Sequence, residues 1–231
     1  MIAGHHADLV TATIHGINPR SREFFIGGLG PLGGGWGAKL IEDGVSATVC
    51  ANDGDTHNSP NEQAEAKLPI VIESCRLIED SCGAGRHRGG LGIESVVRAR
   101  SHLTVNTQTD RAHCHPWGLA GGLEATGNQV HFRIDGQWKT DQPNAKTLIT
   151  HLKPGDAFRL RSGGGGGYGD PLKRNPASVA DDVADGLVSV AAAREDYGVV
   201  LAAPGTVDET ATAGLRQTLR AARGGPAPSG H

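Results

Sequence analysis

The sequence predicts an α+β fold, with a glycine-rich, mainly antiparallel β domain over residues 1–170, a helical segment over 171–223 and a disordered tail at 224–231. Three observations predict it. Short runs of β-branched and aromatic residues, bounded by Gly and Pro, recur from residue 8 to residue 161. Asp135-Gly136 sits between two alternating segments, the preferred chemistry of a two-residue hairpin turn. Beyond Pro171 the apolar residues change to helical spacing, with Val179, Val183 and Leu187 on one face.

Residues 8–17 and 23–26 read as strands. The segment 27–37, GGLGPLGGGWG, reads as a mobile glycine loop. It holds a literal GxGxxG at Gly28, Gly30 and Gly33, but Pro31 interrupts it and no helix follows to hold a pyrophosphate, which disfavours a dinucleotide site. Residues 45–50 alternate like a further strand. From Glu62 a short helical turn runs to Pro69, after which Ile70, Val71 and Ile72 favour a buried strand.

Residues 93–99 and 102–109 read as paired strands joined around Arg100 and Ser101. Residues 129–134 and 137–140 flank Asp135-Gly136 as a hairpin, and 147–152 with 156–161 read as a strand, turn, strand unit around Pro154-Gly155. The five glycines at 163–167 predict a flexible connector, with a ligand loop as the alternative; no GK[ST] follows, so a P-loop is excluded. Asn175 caps a helix with Pro176 at its first position, and Ser189 opens a second that closes at Gly198. Thr206 and Glu209 form a capping box for a third.

A chain of 231 residues can bury roughly 70% of its unfolded surface. Its 35 glycines are about twice the usual share, which implies many turns. The net charge of −3 gives no electrostatic footprint for nucleic acid or an anionic membrane. Cys50, Cys75, Cys82 and Cys114 form no CxxC and match no zinc module, so reduced thiols in a soluble, cytoplasmic protein are expected. No apolar run approaches the roughly 20 residues of a membrane span.

Chemistry concentrates between residues 52 and 92. Asp53, Asp55 and His57 alternate, so an extended backbone aims all three at one face, about 7 Å apart. With Asn58, Glu62 and Glu65 they form an oxygen-rich set. Such a set suits Mg²⁺ or Mn²⁺, a substrate, or simply an Asx-rich turn before a solvated helix start. Further on, glycines surround Arg86, His87 and Arg88, whose guanidinium forks suit carboxylate or phosphate; surface ion pairs to Glu79 and Asp80 are the alternative. The expected site has Asp53, Asp55, His57, Asn58 and Glu62 as catalytic groups and Arg86, Arg88 and Gly89 as substrate-binding groups, folded toward one cleft. The metal is unassigned. His113 and His115, flanking Cys114, would share a face on a strand as a weak zinc pair, and His5, His6 and Asp8 sit at an unanchored terminus. No GxSxG, HExxH or Ser/His/Asp order is present.

Five stretches carry a resemblance: GGGWGAKLIEDG (33–44), NDGDTHNSPNEQAE (52–65), LIEDSCGAGRHRGGLGI (77–93), SGGGGGYGDPLKRNP (162–176) and DVADGLVSVAAAREDYGVVL (182–201). Together they resemble the hydantoinase B/oxoprolinase family over nearly the whole chain to about residue 215. The resemblance implies ATP-dependent opening of a cyclic amide such as 5-oxoproline or a hydantoin. It implies a hydantoinase A-type partner subunit that carries ATP and a divalent cation and phosphorylates the amide oxygen, while the B-type subunit handles the activated intermediate. Arg86, Arg88 and the glycine loops would suit such a phosphorylated species. It also implies that this chain corresponds to the C-terminal portion of a family subunit, with a separate N-terminal half as a further partner. Two functions follow: a component of a cyclic-amide hydrolase, or a non-catalytic assembly module of such a complex or of a related acetone carboxylase-type enzyme.

Overall fold

The computed structural model describes residues 1–6, 8–49, 56–140, 142–203 and 205–223. In chain order the elements are β1 (Val10–Ile17), β2 (Phe24–Leu32), α1 (Asn61–Lys67), β3 (Ile70–Leu77), β4 (Ile93–Ala99), β5 (Leu103–Gln108), β6 (Gln129–Ile134), β7 (Gln137–Lys139), β8 (Thr147–Leu152) and β9 (Ala157–Arg161). The C-terminal part adds α2 (Pro176–Ala184), α3 (Val190–Glu195), β10 (Leu201–Ala203), β11 (Thr206–Val207) and α4 (Glu209–Arg223). The α+β class expected from the sequence is what is observed.

Two antiparallel sheets, ordered β2-β1-β5-β8 and β3-β4-β9-β6-β7, face each other. Alternation drives the packing. Val10, Ala12 and Ile14 of β1, with Leu103 and Val105 of β5, meet Val97 of β4, Phe158 and Leu160 of β9, and Phe132 of β6 in one buried cluster. The β6–β7 hairpin turns through Asp135 (φ 49°) and Gly136 (φ 80°), the two left-handed residues of a type I′ turn.

The two other expected strand pairs are not hairpins. β4 and β5 lie in different sheets, and so do β8 and β9. Residues 100–102 and 153–156 each carry the chain from one layer to the other, and the two corners are tied together. Gly155 N donates to Ala99 O at 2.9 Å, and Ala99 N to Asp156 O at 2.8 Å. Alternation sets which face of a strand is buried, but it does not say which sheet the strand joins.

The glycine segments also differ from expectation. Residues 27–32 are the second half of β2, paired with β1, and residues 45–49 make only the isolated bridge Gly34↔Thr48 instead of a strand. The run 163–167 is neither connector nor ligand loop, because it threads the protein as a buried segment outside any strand or helix. All five of its amides are committed: Gly163 N to Asn128 Oδ1 (2.5 Å), Gly164 N to Thr126 O (3.2 Å), Gly165 N to Gly90 O (2.9 Å), Gly166 N to Gly4 O (2.8 Å) and Gly167 N to Leu123 O (3.0 Å). None is left to bind an anion. Flanking segments approach so closely that a Cβ on Gly165 would lie 1.9 Å from Trp36 O, and one on Gly89 would lie 1.7 Å from Gly165 O.

The N-terminus is anchored by the same assembly. Ala3 N donates to Ala38 O and His6 N to Gly35 O, and the His6 ring is fully buried against Gly34. At the other end Asn175 caps α2 through Ala177 N and Ser189 caps α3 through Ala192 N, as their side chains predict. The cap of α4 is Asp208, which accepts from Ala211 N at 2.9 Å; Thr206 lies in β11 instead. Arg216 and Arg220 of α4 donate to the carbonyls of Tyr197, Arg174 and Leu172, fastening the helix down. The tail expected at 224–231 lies outside the described residues. Among the described residues no helix is long and apolar enough to cross a membrane.

Candidate functional site

A cavity of about 540 Å³ opens between the free edge of the first sheet and the inner face of the second, with α1 along its rim. Phe24, Ile26 and Leu29 of β2, Ile72 and Cys75 of β3, and Leu160 of β9 supply much of its wall. One end is polar. There Asn58 and Ser59, just ahead of α1, join Asn61, Gln63 and Lys67 from the helix. Gln63 and Lys67 share a helix face at spacing i, i+4 with buried Ala64 between them. The helix is held by Glu65, whose Oε1 accepts from Ile72 N at 2.7 Å. Each carboxamide offers a donor pair and an acceptor, the complement of an amide group in a ligand.

Of the expected catalytic residues, Asn58 lines this cavity. His57 is exposed beside it, and Glu62 is exposed on α1 outside the lining. Asp53, Asp55 and Cys50 lie outside the described residues. Among the described residues no three His, Cys, Asp or Glu groups are arranged to hold a metal ion. The described donors therefore do not by themselves fit a metal.

The arginine loop lies elsewhere: none of residues 83–92 lines the cavity. The expected guanidinium pair is split. Arg86 is exposed, whereas Arg88 turns inward, its Nε donating to Asp182 Oδ1 at 2.9 Å and its Nη1 to Gly89 O at 3.2 Å. Arg174 completes a buried network. It donates to Asp182 Oδ2 and reaches both carboxylate oxygens of Asp43 at 2.7 and 2.8 Å. Burial opposes ionisation of Asp43, but the hydrogen bonds and charge of Arg174, with the charge of Arg88, outweigh it and hold the carboxyl below its ordinary range. Gly89 is likewise a packing residue, closed over by Gly165. Arg88 and Gly89 thus have structural partners inside the fold, and Arg86 alone of the three presents its side chain to solvent.

His113 and His115 do not form a pair. His113 Nε2 lies 2.7 Å from Asn144 Oδ1, while His115 Nδ1 faces Glu124 at 3.8 Å. What sequence reasoning missed falls into two kinds. The i, i+4 spacing of Gln63 and Lys67 was a usable signal. Cys75, Ser95 and Leu160, by contrast, reach the cavity from three different strands, and nothing local marks them.

The Hydantoinase B/oxoprolinase family profile matches residues 1–171. The beta subunit of caprolactamase from Pseudomonas jessenii is 34% identical over 215 residues, covering 90% of this chain and 36% of that one. The solved ATP-dependent caprolactamase of the same organism superposes with a TM-score of 0.76 at 29% identity, covering 94% of this chain and 38% of the other. The B-type component of a putative D-/L-hydantoinase of Pseudomonas sp. (strain NS671) is 28% identical over 80% of this chain and 31% of its own length. Nucleotide-free acetone carboxylase superposes with a TM-score of 0.84 at 27% identity, covering 98% of this chain and 34% of that one. The chain therefore spans about a third of the length of these relatives. With nearly the whole chain superposing on those two structures and the family match running through residue 171, the chain belongs to the hydantoinase B/oxoprolinase family.

Proposed function

We propose that the chain is a component of an ATP-dependent cyclic-amide hydrolase and works with an ATP-binding, hydantoinase A-type subunit. One observation carries the reading: nearly the whole chain superposes on an ATP-dependent caprolactamase, a protein named for opening a lactam. In this reading the cavity beside α1 receives the cyclic amide. Apolar side chains from β2, β3 and β9 accept the ring, and Asn58, Asn61 and Gln63 meet the amide. His57, exposed next to Asn58, supplies proton transfer, with Glu62, Asp53 and Asp55 as the further acid–base candidates of this stretch. ATP and its divalent cation belong to the partner, where phosphorylation of the amide oxygen would turn a poor leaving group into a good one. Arg86 is the guanidinium left available for an anionic group.

The test combines the chain with an A-type subunit, with and without a separate N-terminal half, and follows amide-dependent ATP hydrolysis and ring opening. Turnover lost on Asn58→Ala, in a complex that still assembles, is the expected result. A stable complex without turnover on lactams or hydantoins would overturn the enzyme reading. It would favour the second reading, a non-catalytic assembly module.

A further inference from the structure

The outer face of the second sheet is crowded with arginine. Strand alternation puts Leu160, Phe158, Phe132 and Val97 into the core, and so turns Arg159, Arg161, Arg133 and Arg98 the other way. Arg76 of β3 joins them opposite Glu94. Five guanidiniums thus share one face with two carboxylates, Glu73 and Glu94, an excess of three positive charges on a chain whose net charge is −3.

The carboxylates are fully engaged. Buried Glu94 accepts from Arg76 at 2.9 Å and lies 3.3 Å from Arg161 and 3.7 Å from Arg159. Glu73 holds Arg98 at 2.8 Å and Arg133 at 3.0 Å. Trp138 joins the two groups, with the Arg159 guanidinium 4.5 Å and the Arg133 guanidinium 5.4 Å from its ring centre. His131 adds no further positive charge: its Nδ1 accepts from Arg159 Nε at 3.0 Å, which requires the neutral ring. Like charges on neighbouring strands repel, and two acids do not neutralise five bases.

The arginines stand on paired strands and are positioned before any ligand arrives. Arg76 on β3 and Arg133 on β6 are three strand spacings apart, about 14 Å across the sheet, and are further separated along the strands, since Arg76 is level with Arg161 and Arg133 with Ala157. A single small anion cannot bridge that width. An extended peptide with alternate acidic residues presents carboxylates about every 7 Å on one side, which matches the spacing of Arg159 and Arg161 along β9. We propose that this face docks an acidic segment of a partner polypeptide, its carboxylates pairing with Arg76, Arg161 and Arg159 along a diagonal that ends at Trp138.

The test uses the full chain and a synthetic peptide of alternating Glu and Thr, with inorganic phosphate and a DNA duplex as comparison arms. Binding is read by tryptophan emission at low salt and at about 0.5 M salt. Saturable, salt-sensitive quenching that is absent in Trp138→Phe is expected, together with a loss of affinity of about tenfold in the double variant Arg76→Gln, Arg161→Gln. Arg76→Gln alone keeps the test sound if the double variant is unstable, because 72% of its side chain is exposed; it should weaken binding on its own. Arg20→Gln, in the β1–β2 turn, should leave binding unchanged. No saturable peptide binding at low salt, equal affinity in the Arg76 variant, or tighter binding of phosphate or DNA than of the peptide would each overturn the proposal.

Discussion

Arg174 grips Asp182 with two bonds to a single carboxylate oxygen, from Nε at 3.1 Å and from Nη2 at 2.7 Å, while the other oxygen of Asp182 holds Arg88. Asp182 sits on α2, Arg174 just before that helix, and Arg88 in the glycine loop ahead of β4. One carboxylate therefore bolts the helical segment to the β domain. Because all three side chains are at least mostly buried, Asp182→Asn should leave two guanidiniums short of charge and cost about 3–5 kcal/mol in denaturant unfolding. An effect below about 1 kcal/mol would show that solvent reaches the network.

The same network sets an acid limit. Asp43 has a folded pKa below its ordinary 3.8, so the unfolded chain takes up the proton first as pH falls. The stability it contributes is complete above that value and is lost as pH drops through the folded pKa. Asp43→Asn should reduce the steepness of acid unfolding below about pH 4, measured by circular dichroism.

His131 acts in a different window. Burial, with the charges of Arg159 and Arg161, pushes its pKa down from 6.5 to about 4. Between those values the unfolded state binds the extra proton, so stability falls as pH is lowered from 6.5 toward 4 and levels off below. The expected loss is about 1–2 kcal/mol once solvent screening is allowed for. His131→Gln, whose carbonyl can still accept from Arg159, should flatten this part of the profile.

Glycine substitutions separate packing from mere flexibility. Gly165→Ala would place a Cβ 1.9 Å from Trp36 O, with backbone on both sides unable to move away. Loss of soluble, folded protein is expected. Gly28→Ala, at a site with no atom within 4 Å of the added carbon, should change stability by less than about 0.5 kcal/mol. Equal tolerance at the two sites would contradict the close-packed glycine assembly.

Cys75 reports on the cavity without requiring turnover. Cys75 is exposed at the cavity, and partial desolvation by its neighbours raises the thiol pKa, so alkylation is slow but measurable by mass spectrometry at about pH 8. In the assembled complex a saturating cyclic amide should slow modification of Cys75 severalfold and leave Cys114, exposed outside the cavity, unaffected. Equal rates with and without ligand would place the substrate elsewhere.

The residues alone indicated most element types outside the glycine segments, and two of the three helix caps. Asp135-Gly136, Asn175-Pro176 and Ser189 each act through neighbours a few residues away, so their chemistry is local and legible. The family was legible for a similar reason, since its motifs are contiguous text. Tertiary structure alone decided which sheet β4, β5, β8 and β9 join, because alternation is the same whichever partner a strand takes. It alone turned the five glycines at 163–167 from a flexible connector into the centre of the packing, since missing side chains permit either mobility or the closest approach of backbones, and only the surrounding segments choose between them. It also turned Arg88 inward while Arg86 stayed exposed, with neither lining the cavity that Asn58 lines, because ion-pair partners such as Asp43 and Asp182 lie far from them along the chain and meet only when it folds.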